Sequence, residues 1–188
     1  MIQREGHFTQ LKLRLCYFLI LFCESCSVFA SPHTIDALKV AYIYNIAKFT
    51  HWSETTWYAQ SDPFELCIYE ENNFNEELAT LQNKVVNGHP INILRPEKEL
   101  DFQYCHAFYI KTSKRYRYRY LLSLINQKNV LVITDNSPFF DYGGLVNLVE
   151  VAHRLRFQIN KQQLDNSLLK FSSKLLQLAI LIDNSRHF

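Results

Sequence analysis

Four short apolar runs, Phe64 to Tyr69, Pro90 to Leu94, His106 to Ile110 and Val130 to Thr134, are interleaved with helix-patterned stretches through the middle of the chain. Each run is continuous rather than alternating, which is the pattern of a strand buried on both faces. Strands and helices in this order build a parallel sheet covered on both sides. The first helix is expected over Thr34 to Trp52, where Ile35, Leu38, Tyr42, Ile46 and Phe49 recur at helical spacing. Thr34 is its candidate cap, with Asp36 in the first turn. Phe74 to Leu81, capped by Asn72 or Asn73, and Arg115 to Gln127 supply two more helices. The close is different. Leu145 to Val151 and Leu155 to Ile159 are too close in sequence for a crossover, so they pair as an antiparallel hairpin. Asn160 to Ile182 is read as one long helix. The expected class is therefore α/β: a largely parallel sheet covered by helices on both faces, a closing antiparallel hairpin and a long C-terminal helix.

The N-terminus has the form of a cleavable secretory signal. Arg4, Lys12 and Arg14 precede an apolar core from Leu15 to Cys23, and Val28-Phe29-Ala30 places small or aliphatic residues before Ser31. The alternative is a membrane anchor, but the core falls short of the ~20 apolar residues that span a bilayer. Residues 1–30 are thus expected to be a signal peptide, and residues 31–188 a single exported domain. Removing the leader leaves a net charge near +1, which is no footprint for nucleic acid. It also leaves only Cys67 and Cys105. In an exported chain two cysteines invite one disulfide, worth roughly 4 kcal/mol for a loop of this length. Two buried free thiols are the alternative.

Chemical constellations are sparse. Gly88, Gly143 and Gly144 are the only glycines beyond the leader, too few for a P-loop or a dinucleotide fingerprint. The histidines beyond the leader, His33, His51, His89, His106, His153 and His187, show no metal-ligand spacing. Ser172-Ser173-Lys174 has the residue types of a Ser-Lys pair, but the catalytic spacing is one helical turn. Glu70-Glu71 and Glu76-Glu77 sit at element edges and are read as solvated. No metal, cofactor or catalytic residue is assigned, and the chain is expected not to be an enzyme. The run Lys114-Arg115-Tyr116-Arg117-Tyr118-Arg119-Tyr120 interleaves cations with rings. Such a run can hold single-stranded nucleic acid. Export weighs against that, and the run opens a helix, so its charges and rings point in several directions with Tyr118 toward the core; an anionic ligand or lipid headgroup is the minor alternative to this structural reading.

The last segment carries more apolar surface than one core contact needs. Leu164, Leu168, Phe171, Leu175, Leu178 and Ile182 form one stripe, and Leu169, Leu176 and Ile180 a second. Either this helix is buried on two sides, or one stripe meets a partner or a second copy.

Six pieces in order resemble the YfiR family of small exported bacterial proteins. They are Tyr42-Ile43-Tyr44-Asn45-Ile46-Ala47-Lys48-Phe49, with Trp52 beyond it; Val86-Asn87-Gly88-His89-Pro90-Ile91; Cys105-His106-Ala107-Phe108-Tyr109-Ile110; Val130-Leu131-Val132-Ile133-Thr134-Asp135; the Gly143-Gly144 hairpin with Arg156-Phe157-Gln158-Ile159-Asn160; and Ser172-Ser173-Lys174-Leu175-Leu176. The resemblance implies an α/β fold, a homodimer and a disulfide between Cys67 and Cys105. It implies a periplasmic repressor that binds the periplasmic part of an inner-membrane diguanylate cyclase, or a related membrane sensor, and lowers cyclic-di-GMP signalling. Capture by an outer-membrane lipoprotein would release that restraint and favour biofilm. The partner surface implied by the resemblance falls on Leu164, Leu168 and Phe171, with His153 where an apolar residue is expected. Asn147 and Arg154 stand where better-known members carry a second cystine, which puts a second redox control in doubt. The competing reading is a periplasmic small-ligand-binding or sensing domain coupled to another membrane sensor.

Overall fold

A computed structural model describes residues 35–53, 56–57, 59–70, 75–125, 128–140 and 142–183. The leader and the proposed caps at Thr34, Asn72 and Asn73 lie outside these residues.

Helix α1, Ile35–Lys48, buries Val40, Ile43, Ile46 and Ala47, a spacing that gives one helix face. Strand β1, Thr50–His51, leaves that helix at once. The expected helix through Trp52 therefore stops early, because Thr50 pairs with Phe171 instead. Then follow β2 (Phe64–Glu70), α2 (Asn75–Ala79), β3 (Val85–Val86) and β4 (His89–Leu94). A 3₁₀ turn at Glu99–Tyr104 leads to β5 (Ala107–Lys111), α3 (Arg115–Ser123), β6 (Leu131–Thr134) and α4 (Ser137–Phe140). The chain closes with β7 (Val146–Val151), β8 (Arg154–Asn160), α5 (Lys161–Asn166), β9 (Lys170–Phe171), α6 (Ser173–Leu178) and β10 (Ile180–Ile182).

The main sheet has eight strands in the order β10-β8-β7-β6-β5-β2-β4-β3. Its centre, β7-β6-β5-β2-β4, is parallel throughout. Along β5 the side chains alternate between two cores. Ala107 and Tyr109 join α1 residues Val40, Ile43 and Ile46. Phe108 and Ile110 join Tyr118, Leu121 and Leu122 of α3. The α/β architecture with both faces covered is what the continuous apolar runs predict. The Cys67–Cys105 disulfide lies on the α3 side, with Cα atoms 5.6 Å apart, within the window a cystine needs.

The long C-terminal helix is not formed. Two short helices replace it, separated by β9 and followed by β10, which pairs in parallel with β8. The cause is local hydroxyl chemistry. Ser167 Oγ donates to Leu164 O at 2.8 Å and accepts the Leu169 amide at 3.3 Å, which ends α5. Ser172 Oγ accepts the Leu175 amide at 3.2 Å and caps α6. Serine favours such termini over helix interiors. Between them Lys170–Phe171 pairs with Thr50–His51.

The two tight hairpins differ in strain. Asn87-Gly88 joins β3 to β4 with φ of 52° and 90°, residues suited to the left-handed region. Ala152-His153 joins β7 to β8 with φ of 50° and 59°, where a Cβ is unfavourable.

Candidate functional site

The end of the sheet where β6 finishes is closed by charge pairing. Lys39 Nζ lies 2.6 Å from Asp135 and 3.8 Å from Asp36, and Lys111 Nζ lies 4.0 Å from Asp36. Ligands in open α/β sheets usually bind beyond the carboxyl ends of the strands. Here α1 is locked across that position. Two other concavities are formed by described residues.

The first is a groove of about 550 Å³ between α1, β8 and α6. Ile46, Phe157 and Leu175 are buried and form its floor. Tyr42 packs edge-on to Phe157 at 6.0 Å and donates to Leu155 O at 2.8 Å, which fixes α1 against β8. Phe49 and Leu178 are exposed at its sides, Leu178 by 65%. Arg156 and Lys174 also line it, and no acidic residue does. Lys174 is thus a rim cation and Ser172 a helix cap.

The second is a recess of about 640 Å³ where β2, β5 and β6 begin. It is lined by Trp57, Asp62, Glu65, Tyr104, Cys105, His106 and Leu168 among others. Trp57 stacks on His89 at 4.1 Å and on His106 at 5.3 Å. His106 stacks in turn on Phe64 at 5.5 Å. His89 Nδ1 donates to Asp62 O at 2.7 Å, since a carbonyl can only accept. His106 Nδ1 accepts the Glu65 amide at 3.0 Å. That bond requires a neutral imidazole with its proton on Nε2. Burial holds the His106 pKa below its ordinary value of 6.5, outweighing a bond with the Thr56 backbone. Burial also raises Glu65, partly offset by Asn92. The Trp57 indole N–H has no acceptor among the described residues.

The four partner residues expected from the sequence do not form one stripe. Phe171 is buried as part of β9, and Leu164 is half-buried against the α1-side core. Leu168 is 58% exposed and lines the recess, its amide bonded to Lys128 O at 2.8 Å. His153 is exposed at the β7–β8 turn, 3.5 Å from Glu150. It precedes β8 whereas the others follow it, roughly 20 Å apart along the strand. Asn147 and Arg154 do not face each other either. Asn147 is buried opposite Gln158 and donates to it at 2.8 Å, while Arg154 lies opposite Val151. Glu70, read as solvated, has a buried side chain 3.1 Å from Arg95. Sequence reasoning placed Phe49 and Leu178 on apolar stripes but did not join them. It missed the stacking of Trp57, His89 and His106, for which no local spacing exists. No cluster of three or more His, Cys, Asp or Glu among the described residues could hold a metal ion. No described helix is long and apolar enough to cross a membrane.

The described residues thus form an α/β domain with a strand end closed by charge pairs, an open apolar groove and an aromatic recess. The profile of the YfiR/HmsC-like family matches residues 36–180, and the chain belongs to that family. Membership supports, at the level of the family, a regulator in cyclic-di-GMP signalling rather than an enzyme. No curated protein matches the chain.

Proposed function

We propose that the protein is a periplasmic repressor, exported by a cleavable signal. It binds the periplasmic domain of an inner-membrane diguanylate cyclase, or a related sensor, and lowers cyclic-di-GMP output. Its activity is binding, and a homodimer is the assembly expected from the family resemblance. The observation that carries the reading is the groove of about 550 Å³ between α1, β8 and α6. An apolar floor with exposed Leu178 and Phe49 is the anatomy of an interaction surface. Arg156 and Lys174 favour an acidic rim on the partner.

The test is capture from solubilised inner membrane by wild type, Leu178→Glu and Leu168→Glu, with the cyclase identified by its synthesis of cyclic-di-GMP. Capture by wild type and Leu168→Glu, lost in Leu178→Glu, is the expected result. Loss in Leu168→Glu alone would move the interface to the recess. Absence of any cyclase from the wild-type sample would remove the repressor reading.

One observation favours the ligand-sensing alternative. The recess has small-molecule size, and an unsatisfied indole N–H beside His106 and Glu65 offers polar anchors. A ligand for it would raise the melting temperature of wild type by mass action and leave Trp57→Ala unmoved.

A further inference from the structure

A strongly cationic surface lies on neither concavity. Helix α3 reads Arg115-Tyr116-Arg117-Tyr118-Arg119-Tyr120 and is preceded by Lys114. At about 100° per residue, Arg115, Tyr116, Arg119 and Tyr120 share one arc. Tyr118, Leu121 and Leu122 occupy the opposite arc and are buried in the core. The outer arc therefore alternates cation and ring. Tyr116 is 66% exposed, and Tyr120 and Tyr142 are exposed as well. Arg115 sits 5.4 Å above the Tyr142 ring, and Arg117 6.0 Å from that of Tyr116. At this face Glu99 accepts from Tyr120 Oη at 2.8 Å. None of Lys114, Arg115, Arg117 and Arg119 has an ion-pair partner among the described residues.

Helix stability does not explain this placement. The first turn of α3 contains no acidic residue. A helix N-terminus carries partial positive charge and favours acids. Three cations within the cap and first turn work against the helix, so their use lies outside it. Guanidinium groups bind phosphate oxygens in a bidentate fork. Tyrosine rings beside them prefer the boundary between apolar and aqueous phases.

We propose that the outer face of α3 docks on an anionic phospholipid bilayer, with Arg115, Arg117, Arg119 and Lys114 on the phosphates and Tyr116, Tyr120 and Tyr142 at headgroup depth. The two helices cover opposite faces of the sheet, so this contact leaves the α1 groove free for a protein partner. It needs an exported protein near a membrane, but not the cyclase. Failure of vesicle binding leaves the repressor reading intact, and failure of cyclase capture leaves this one intact.

The test is co-sedimentation of the purified mature chain, residues 31–188, with vesicles of phosphatidylglycerol mixed into phosphatidylcholine, against phosphatidylcholine alone. Wild type is expected to bind the anionic vesicles and to be released as sodium chloride rises. Each basic residue near an anionic surface contributes about fivefold. Arg115→Gln with Arg119→Gln should lose about thirtyfold. Arg115→Glu with Arg119→Glu should lose more, and an unchanged far-UV circular dichroism spectrum separates that loss from unfolding. Equal binding to both vesicle types, or undiminished binding by the charge-reversed protein, would overturn the proposal. So would retention on polyglutamate without vesicle binding, which would make the patch a site for acidic protein.

Discussion

The two concavities are built from similar amounts of aromatic and aliphatic surface, yet by opposite means. The α1–β8–α6 groove has no covalent tie and is held by packing and by the Tyr42 bond to Leu155 O. Its floor is core, its sides are exposed, and its lining carries two cations, Arg156 and Lys174, with no histidine, acid or cystine. The recess is tied covalently through Cys105 and closed by the Trp57 stack. It includes a histidine whose neutral form is required by its own hydrogen bond. The groove should therefore bind with little dependence on mild acid or reductant, while the recess should respond to both.

Removing the covalent tie is the largest test of that contrast. Cys105→Ala should cost about 4 kcal/mol in chemical denaturation and alter Trp57 fluorescence. Partner capture through the groove should survive once folding is restored by lower temperature. A loss under about 1 kcal/mol would mean that packing, not the cystine, holds the recess.

Removing the stack comes next. Trp57 makes three ring contacts, with Trp52, His89 and His106, each worth about 0.5–1.5 kcal/mol. Trp57→Ala should thus destabilise by roughly 2 kcal/mol, read as a shift in denaturation midpoint. An unchanged midpoint would make the stack an ornament of the loop.

Acid should separate the two regions further. Burial depresses the His106 pKa below 6.5. Between that depressed value and 6.5 the unfolded chain binds more protons than the folded one, so stability falls as pH falls. Above 6.5 the residue is neutral in both states and contributes no slope. The groups facing it include His89, which opposes protonation, and Asp62, which favours it. The melting temperature should therefore drop between pH 7 and pH 5, and less so in His106→Gln. Equal drops in both proteins would assign the slope to other groups.

The sheet and closing hairpin were legible because they are written as continuous apolar runs and short connections. Val130 to Thr134 can hardly be anything but a buried strand. The C-terminal segment was misleading for a physical reason. Its leucines satisfy a helical period, yet Ser167 and Ser172 offer competing hydrogen bonds, and Thr50–His51 offers a strand to pair with. Tertiary pairing then decides, and the same leucines scatter among core, recess and groove. Leu178 and Phe49 were visible as apolar residues, but their common groove depends on Tyr42 setting α1 against β8. The Trp57 stack draws on a connecting segment and two strand starts, so no window of sequence contains it.

The smallest stability effect is the most diagnostic. Leu178 ends α6 with its side chain mostly in solvent, so Leu178→Glu removes little buried area. Exposed substitutions of this kind stay within about 0.5 kcal/mol, and the denaturation curve should nearly overlay that of wild type. Binding should respond quite differently. A carboxylate placed at the apolar side of the groove would lie near Arg156 and Lys174 and neutralise the positive rim. It would also meet the partner's apolar surface without a hydrogen-bonding group, the costly case for a charge at an interface. Loss of capture with an unchanged midpoint, together with retained capture by Leu168→Glu, assigns the groove to recognition and the recess to structure or sensing. If Leu178→Glu lowers the unfolding free energy by more than about 2 kcal/mol, Leu178 belongs to the core and the groove is closed in solution. The apolar surface would then have to be sought on the recess side, around Leu168.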